Sequence, residues 1–156
     1  MAQHIVRQIH ISLIKNRKSI AVAESCTGGI LSGLLTQIGA SSQYFILGIV
    51  AYSNKAKEII LKIPPSIIKK YGAVSKTTAR LMAQNIRRIA NVDFGIGITG
   101  IAGPKGASPG KPVGTVFVAI DSKKRKICKR FVFKGSRVLI RKKAALKAIE
   151  LLKKAF

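Results

Sequence analysis

Ala23-Glu24-Ser25-Cys26-Thr27-Gly28-Gly29 separates two apolar patterns of different period. Before it, Ile20 to Val22 reads as a short buried strand. After it, Ile30, Leu31, Leu34, Leu35 and Ile38 recur on one face of a helix. The chain therefore turns sharply from strand to helix, with two hydroxyls and a thiol at the bend. Two glycines there let backbone N–H groups approach a bound group, at a helix end that favours anions. The stretch reads as a site, and Thr27, Gly28 and Gly29 enter the substrate-binding set through those N–H groups.

Outward from the bend, helices and strands alternate. A helix from about His4 to Asn16 precedes the first strand, Ser19 to Ala23. Phe45 to Ala51 reads as a second strand and Ser53 to Leu61 as a helix, which Pro64-Pro65 breaks before a short turn to Lys70. Ala79, Met82, Ala83, Ile86 and Ala90 mark the next helix, with Ser75 placed to cap it. Asp93 to Thr99 is a third strand, opening into a Gly- and Pro-rich loop from Gly100 to Pro112. Gly114 to Ile120 and Lys126 to Phe133 follow as a hairpin, and Ala145, Ala148, Ile149 and Leu152 mark a closing helix. The pattern predicts an α/β sandwich around a mixed, mostly parallel sheet. One antiparallel pair is expected, near the end. With 156 residues, no linker and no repeat, a single domain spanning residues 1–156 is expected.

Composition narrows the chemistry. The only carboxylates are Glu24, Glu58, Asp93, Asp121 and Glu150, and the only imidazoles are His4 and His10, both near the start. A Ser-His-Asp triad, paired-carboxylate catalysis and a carboxylate-rich metal site are all short of parts. Cys26 and Cys128 are far apart and have no paired-ligand spacing, so zinc is not expected. If Ser25 is a nucleophile, the base left to it is a lysine. Two unpaired cysteines, no signal-like start and no apolar run near the ~20 residues of a membrane span lead us to expect a cytoplasmic chain without a membrane partner.

The formal charge is +24, and nearly half of the 29 basic residues lie from Ser122 onward. This leaves a nucleic-acid partner open but not favoured, because aromatics are only 6% and no recognition module is present. A homo-oligomer is expected, with no stretch of sequence that specifies its interface.

Two more segments leave strands in glycine-bearing or polar turns. Tyr52-Ser53-Asn54-Lys55-Ala56-Lys57 places Ser53 and Lys57 one helical turn apart, so that both are expected to face one pocket. Thr99-Gly100-Ile101-Ala102-Gly103-Pro104 leaves the third strand. Parallel strands that end together in three such loops describe the ligand crevice of an open α/β sheet.

In order, AESCTGG, YSNKAK, GAVS (Gly72 to Ser75), TGIAGP and KPVGTV (Lys111 to Val116) resemble the CinA C-terminal domain family across nearly the whole chain. Its active members are nicotinamide-nucleotide amidases, described as Ser/Lys hydrolases. The resemblance implies a three-layer α/β/α fold around a mixed sheet of about five strands, and deamidation of nicotinamide mononucleotide, a small-molecule nucleotide substrate, to nicotinic acid mononucleotide and ammonia. It carries the nucleophile onto Ser25 and the general base onto Lys57, with Tyr52 and Asn54 as pocket residues and Thr99 and Gly100 facing the reacting centre. The family's arginine-bearing stretch falls on Gly135-Ser136-Arg137 and Arg141, and either guanidinium suits a phosphate. Lys55 stands where an acidic residue is common. The alternative is a catalytically inactive member acting as a basic nucleic-acid- or protein-binding module.

The amidase reading requires no metal and no organic cofactor, but Lys57 must be neutral, although a free lysine titrates near ~10.4. A fall of about three units costs roughly 4 kcal/mol, from desolvation or from nearby positive charge such as Lys55. The N–H groups from Ser25 to Gly29 are the candidate oxyanion donors.

Overall fold

The computed structural model describes residues 2–156. Five strands form one sheet in the order β2-β1-β3-β4-β5, with β1 Ile20–Glu24, β2 Phe45–Val50, β3 Phe94–Gly100, β4 Thr115–Asp121 and β5 Lys126–Val132. Helices α1 (Ala2–Lys15), α2 (Ile30–Thr36) and α6 (Arg137–Lys153) share one core cluster on one face. Helices α3 (Asn54–Ile59), α4 (Pro65–Tyr71) and α5 (Lys76–Ala90) lie over the other face, where α5 carries most of the packing. This is the expected α/β/α sandwich.

The strand directions differ from expectation in one respect. β1 pairs in parallel with both β2 and β3, but β3–β4 and β4–β5 are both antiparallel, two such pairs where one was expected; four of the five strands still run the same way, so the sheet is mixed and mostly parallel. The cause is the loop of residues 101–114. It holds no crossover helix and stays at one end of the sheet, so β4 has to return against β3. The three mutually parallel strands still deliver their C-terminal ends, at Glu24, Val50 and Gly100, to the same edge.

β3 shows how closely the layers approach. Phe94, Ile96 and Ile98 point into the α1/α2/α6 core. On the opposite face Gly95 and Gly97 leave the strand bare beneath α5. A Cβ on Gly95 would stand 2.0 Å from the Ala83 carbonyl oxygen, and one on Gly97 2.4 Å from that of Ala79. These contacts are with backbone, which has no rotamer to yield. The period-2 pattern Phe-Gly-Ile-Gly-Ile is therefore a groove for a helix. Ser75 caps α5 as expected, accepting from the Thr78 N–H at 3.1 Å.

Gly97→Ala should cost about 3 kcal/mol in urea unfolding because α5 must lift. Gly33→Ala, on an exposed face of α2 with nothing within 4 Å, should be neutral or stabilising by about 0.5–1 kcal/mol. Equal effects at the two sites would refute the groove.

Candidate active site

Five chain segments build the site. β1 ends at Glu24, whose carbonyl accepts the Ala51 N–H at 2.8 Å and so brings the end of β2 against the serine bend. The chain then enters α3 through Ser53, whose Oγ accepts the Ala56 N–H at 3.0 Å. That cap turns the helix so that Lys57 points inward. Lys57 is 1% exposed, and its Nζ donates to the carbonyls of Ala51 (2.8 Å) and Tyr52 (3.2 Å) while lying 3.1 Å from Ser25 Oγ. Ser53 itself is spent as the cap and does not line the pocket, contrary to the expectation that it would share a face with Lys57.

The geometry suits both protonation states: an ammonium would donate to all three oxygens. A neutral amine has two N–H groups and one lone pair. The two carbonyls take the N–H groups, which leaves the lone pair facing the Ser25 hydroxyl. Burial pushes the Lys57 pKa below the ordinary lysine value, and it outweighs the smaller opposing influence of Cys26. Cations play no part in that shift: Lys55 is exposed, pointing away from Lys57, so the contribution expected of it is absent. Burial also pushes the Cys26 thiol up to about 11. It stays a protonated, buried neighbour, and Ser25 is the better nucleophile of the pair.

A cavity of about 310 Å³ opens over these groups, lined by Ser25, Tyr52, Asn54, Lys57, Thr99 and Gly100 together with the 101–106 loop and Arg137. Thr99 Oγ1 donates to the Ala73 carbonyl at 2.7 Å, tying the Gly72 to Ser75 segment to the end of β3. Arg137 reaches over the opening, donating to the Gly103 carbonyl (2.7 Å) and the Tyr52 hydroxyl (2.8 Å).

Other expected residues lie elsewhere. Thr27, Gly28, Gly29 and Arg141 do not line the cavity. The N-terminus of α2, read as a place for a bound anion, is already filled by the chain's own buried Glu24. Its carboxylate accepts the N–H groups of Gly29 (3.1 Å), Leu31 (3.1 Å) and Ser32 (2.8 Å) and the Ser32 hydroxyl (2.7 Å). Thr27 Oγ1 is buried without a partner. Arg141 donates to the carbonyls of Cys26 and Thr27, both at 3.0 Å. Gly28, at φ +56°, leaves room for that guanidinium, since a Cβ there would stand 2.7 Å from Arg141 Nη2. His4 and His10 bond to Gln8 and Tyr44, not to Ser25. Sequence reasoning missed Lys105 and Gly106, which line the cavity, and the clamp made by Glu24. An acid five residues before a glycine that opens a helix was the one available signal for the clamp.

Among the described residues no group of three His, Cys, Asp or Glu side chains could hold a metal ion, and no helix is long and apolar enough to cross a membrane.

Comparison with known proteins agrees with this architecture. The model of the CinA C-terminal domain matches residues 2–156, and the chain belongs to that family. It is 44% identical over 150 residues to a putative competence-damage inducible protein of Thermoanaerobacter pseudethanolicus, covering 96% of this chain and 36% of that protein. A CinA-like protein of Thermotoga maritima is 43% identical over the same length and shares. The chain thus spans about a third of the length of the curated relatives it matches. Among solved structures, a CinA superfamily protein of Escherichia coli superposes with a TM-score of 0.95 at 29% identity, over 100% of this chain and 91% of that one. A competence/damage inducible protein of Agrobacterium tumefaciens gives 0.95 at 33% identity, over 98% and 94%.

The depressed Lys57 pKa makes a prediction for stability. Below its folded pKa, Lys57 is charged in both folded and unfolded chains. Between that value and ~10.4 the unfolded chain binds more protons, so stability gains with rising pH. The stability difference between wild type and Lys57→Met should therefore shift toward wild type from pH 7 to 10, by up to about 1.4 kcal/mol per pH unit. Urea titrations showing a flat or falling difference would contradict a depressed pKa.

Proposed function

We propose that the chain is a Ser/Lys amidase that converts nicotinamide mononucleotide and water to nicotinic acid mononucleotide and ammonia. The observation that carries this reading is the buried Lys57 Nζ at 3.1 Å from Ser25 Oγ, at the floor of the cavity. The Ser25 hydroxyl gives its proton to Lys57 as Oγ attacks the carboxamide carbon. The resulting oxyanion is met by an N–H group of the bend. Ser25, Gly28 and Gly29 N–H are occupied by Ile98 O, Ser25 O and Glu24, and Thr27 is buried outside the cavity lining, which leaves the N–H of Cys26. Collapse breaks the C–N bond, and Lys57 returns the proton to the departing ammonia. Lys57 then deprotonates a water that hydrolyses the ester, releasing the acid and restoring Ser25.

For the phosphate, Arg137 and Lys105 at the cavity rim are the better placed cations, with Arg141 committed to the bend. Tyr52 and Asn54 frame the same rim. Thr99 and Gly100 shape the wall opposite Ser25.

Purified protein should release ammonia from nicotinamide mononucleotide in a coupled assay. Ser25→Ala should abolish release and Lys57→Met should reduce it roughly 10³-fold. For wild type, kcat/KM should rise with pH as Lys57 loses its proton, reaching its plateau below the ordinary lysine range. Folded wild-type protein without turnover, but with tight salt-sensitive binding of DNA or RNA, would instead favour the basic binding module that the +24 charge suggests.

A further inference from the structure

We infer that β2 is an interface strand, pairing antiparallel with β2 of a second copy of this chain across a two-fold axis at Gly48. The two edges of the sheet differ. β5 is guarded, because Lys126, Lys129 and Arg130 are exposed along its seven residues. Charged side chains of that kind stop an edge strand from recruiting another strand. β2, with the sequence Phe-Ile-Leu-Gly-Ile-Val, has neither charge nor proline. Ile46, Gly48 and Val50 are exposed on it, although no residue of the strand is polar.

Its backbone is open as well. The Ala51 N–H donates to the Glu24 carbonyl and therefore faces β1. The register is regular from Leu47 to Val50, so alternation turns the N–H and C=O groups of Gly48 and Val50 outward. A two-fold axis at Gly48 lets that residue exchange hydrogen bonds with its own copy. The same axis sets Ile46 opposite Val50 on the face shared with α2, and Leu47 opposite Ile49 on the other. Every cross-strand pair is then apolar, and two five-stranded sheets become one.

Charge identifies the occupant. Residues 25–54, which include the serine bend, α2 and β2, carry no charged side chain. That is the longest such run in a chain where 22% of residues are charged and the net charge is +24. A nucleic acid or an acidic protein would be met by cations. A neutral edge instead suits a partner that is itself strongly cationic, and a second copy is that partner.

Sedimentation velocity on the full chain should show a dimer. Raising the salt should tighten it, because the cations elsewhere on the two copies repel each other. Ile46→Lys places a charge at both ends of the interface and should weaken association by about 10²-fold or more. Its melting temperature should stay within a few degrees of wild type, since Ile46 is already 54% exposed. Val50→Lys should act the same way and covers the case of an Ile46 variant that does not fold. Val132→Lys, at a residue 52% exposed on β5, should dimerise like wild type. Hydrogen exchange over residues 45–50 should be slow in the wild-type dimer and fast in the monomeric variant. Wild type that stays monomeric at about 100 μM, or association that salt weakens, would overturn the inference. So would a dimer that both lysine variants on β2 leave intact, or one whose residues 45–50 exchange as fast as in the monomer.

Discussion

Lys57 is buried with no carboxylate beside it; its nitrogen meets two backbone carbonyls and one hydroxyl. Carbonyl dipoles solvate an ammonium far less well than water does, so the protonated form is penalised in the folded chain. A protein of this size gains nothing in stability from that arrangement. It fits a site in which an uncharged amine is presented to Ser25, as proposed above. The scarcity of acids fits the same requirement, since a carboxylate against Nζ would restore the charge. The one buried carboxylate in the neighbourhood, Glu24, is turned away into the N-terminus of α2 and held by four hydrogen bonds.

The rest of the architecture brings separate segments to one point. Three parallel strands end at the same edge, and each supplies a part: β1 the serine, β2 the lysine through the capped start of α3, and β3 the Thr99–Gly100 wall. The parts are cross-tied: the Glu24 carbonyl holds Ala51, the Ala51 carbonyl holds Lys57, and Thr99 holds Ala73. From across the molecule, α6 sends Arg137 to the rim of the cavity and Arg141 to the back of the bend. One helix turn therefore separates two guanidinium groups with different tasks.

Much of this was legible in the sequence because it depends on local period. The strands β1 and β3, the helices α1 and α5, and the cap at Ser75 follow from alternation and spacing that neighbours reinforce. The direction of β4 does not, because the loop of residues 101–114 has no period from which to read a crossover. Lys57 alone looks like any solvated lysine in a chain with 29 basic residues. Only its place in YSNKAK marks it: its carbonyl partners lie five and six residues before it, and the Ser25 bend that it meets lies 32 residues away. Arg137 and Arg141 were seen as one cationic stretch. What separates them is that α6 begins at Arg137, capped by Ser136, earlier than the apolar pattern from Ala145 suggests. Glu24 enters the sequence reading only as one of five acids, and nothing local tells a catalytic carboxylate from one that closes a helix.

The protonation state of a single amine is thus the hinge of the account. It can be read directly by NMR, following the 13Cε signal of Lys57 in labelled protein, assigned with Lys57→Met, as pH is raised. Titration clearly below the ~10.4 of an ordinary lysine is the expected result. A midpoint at or above that value would mean that the amine beside Ser25 stays charged and cannot take its proton.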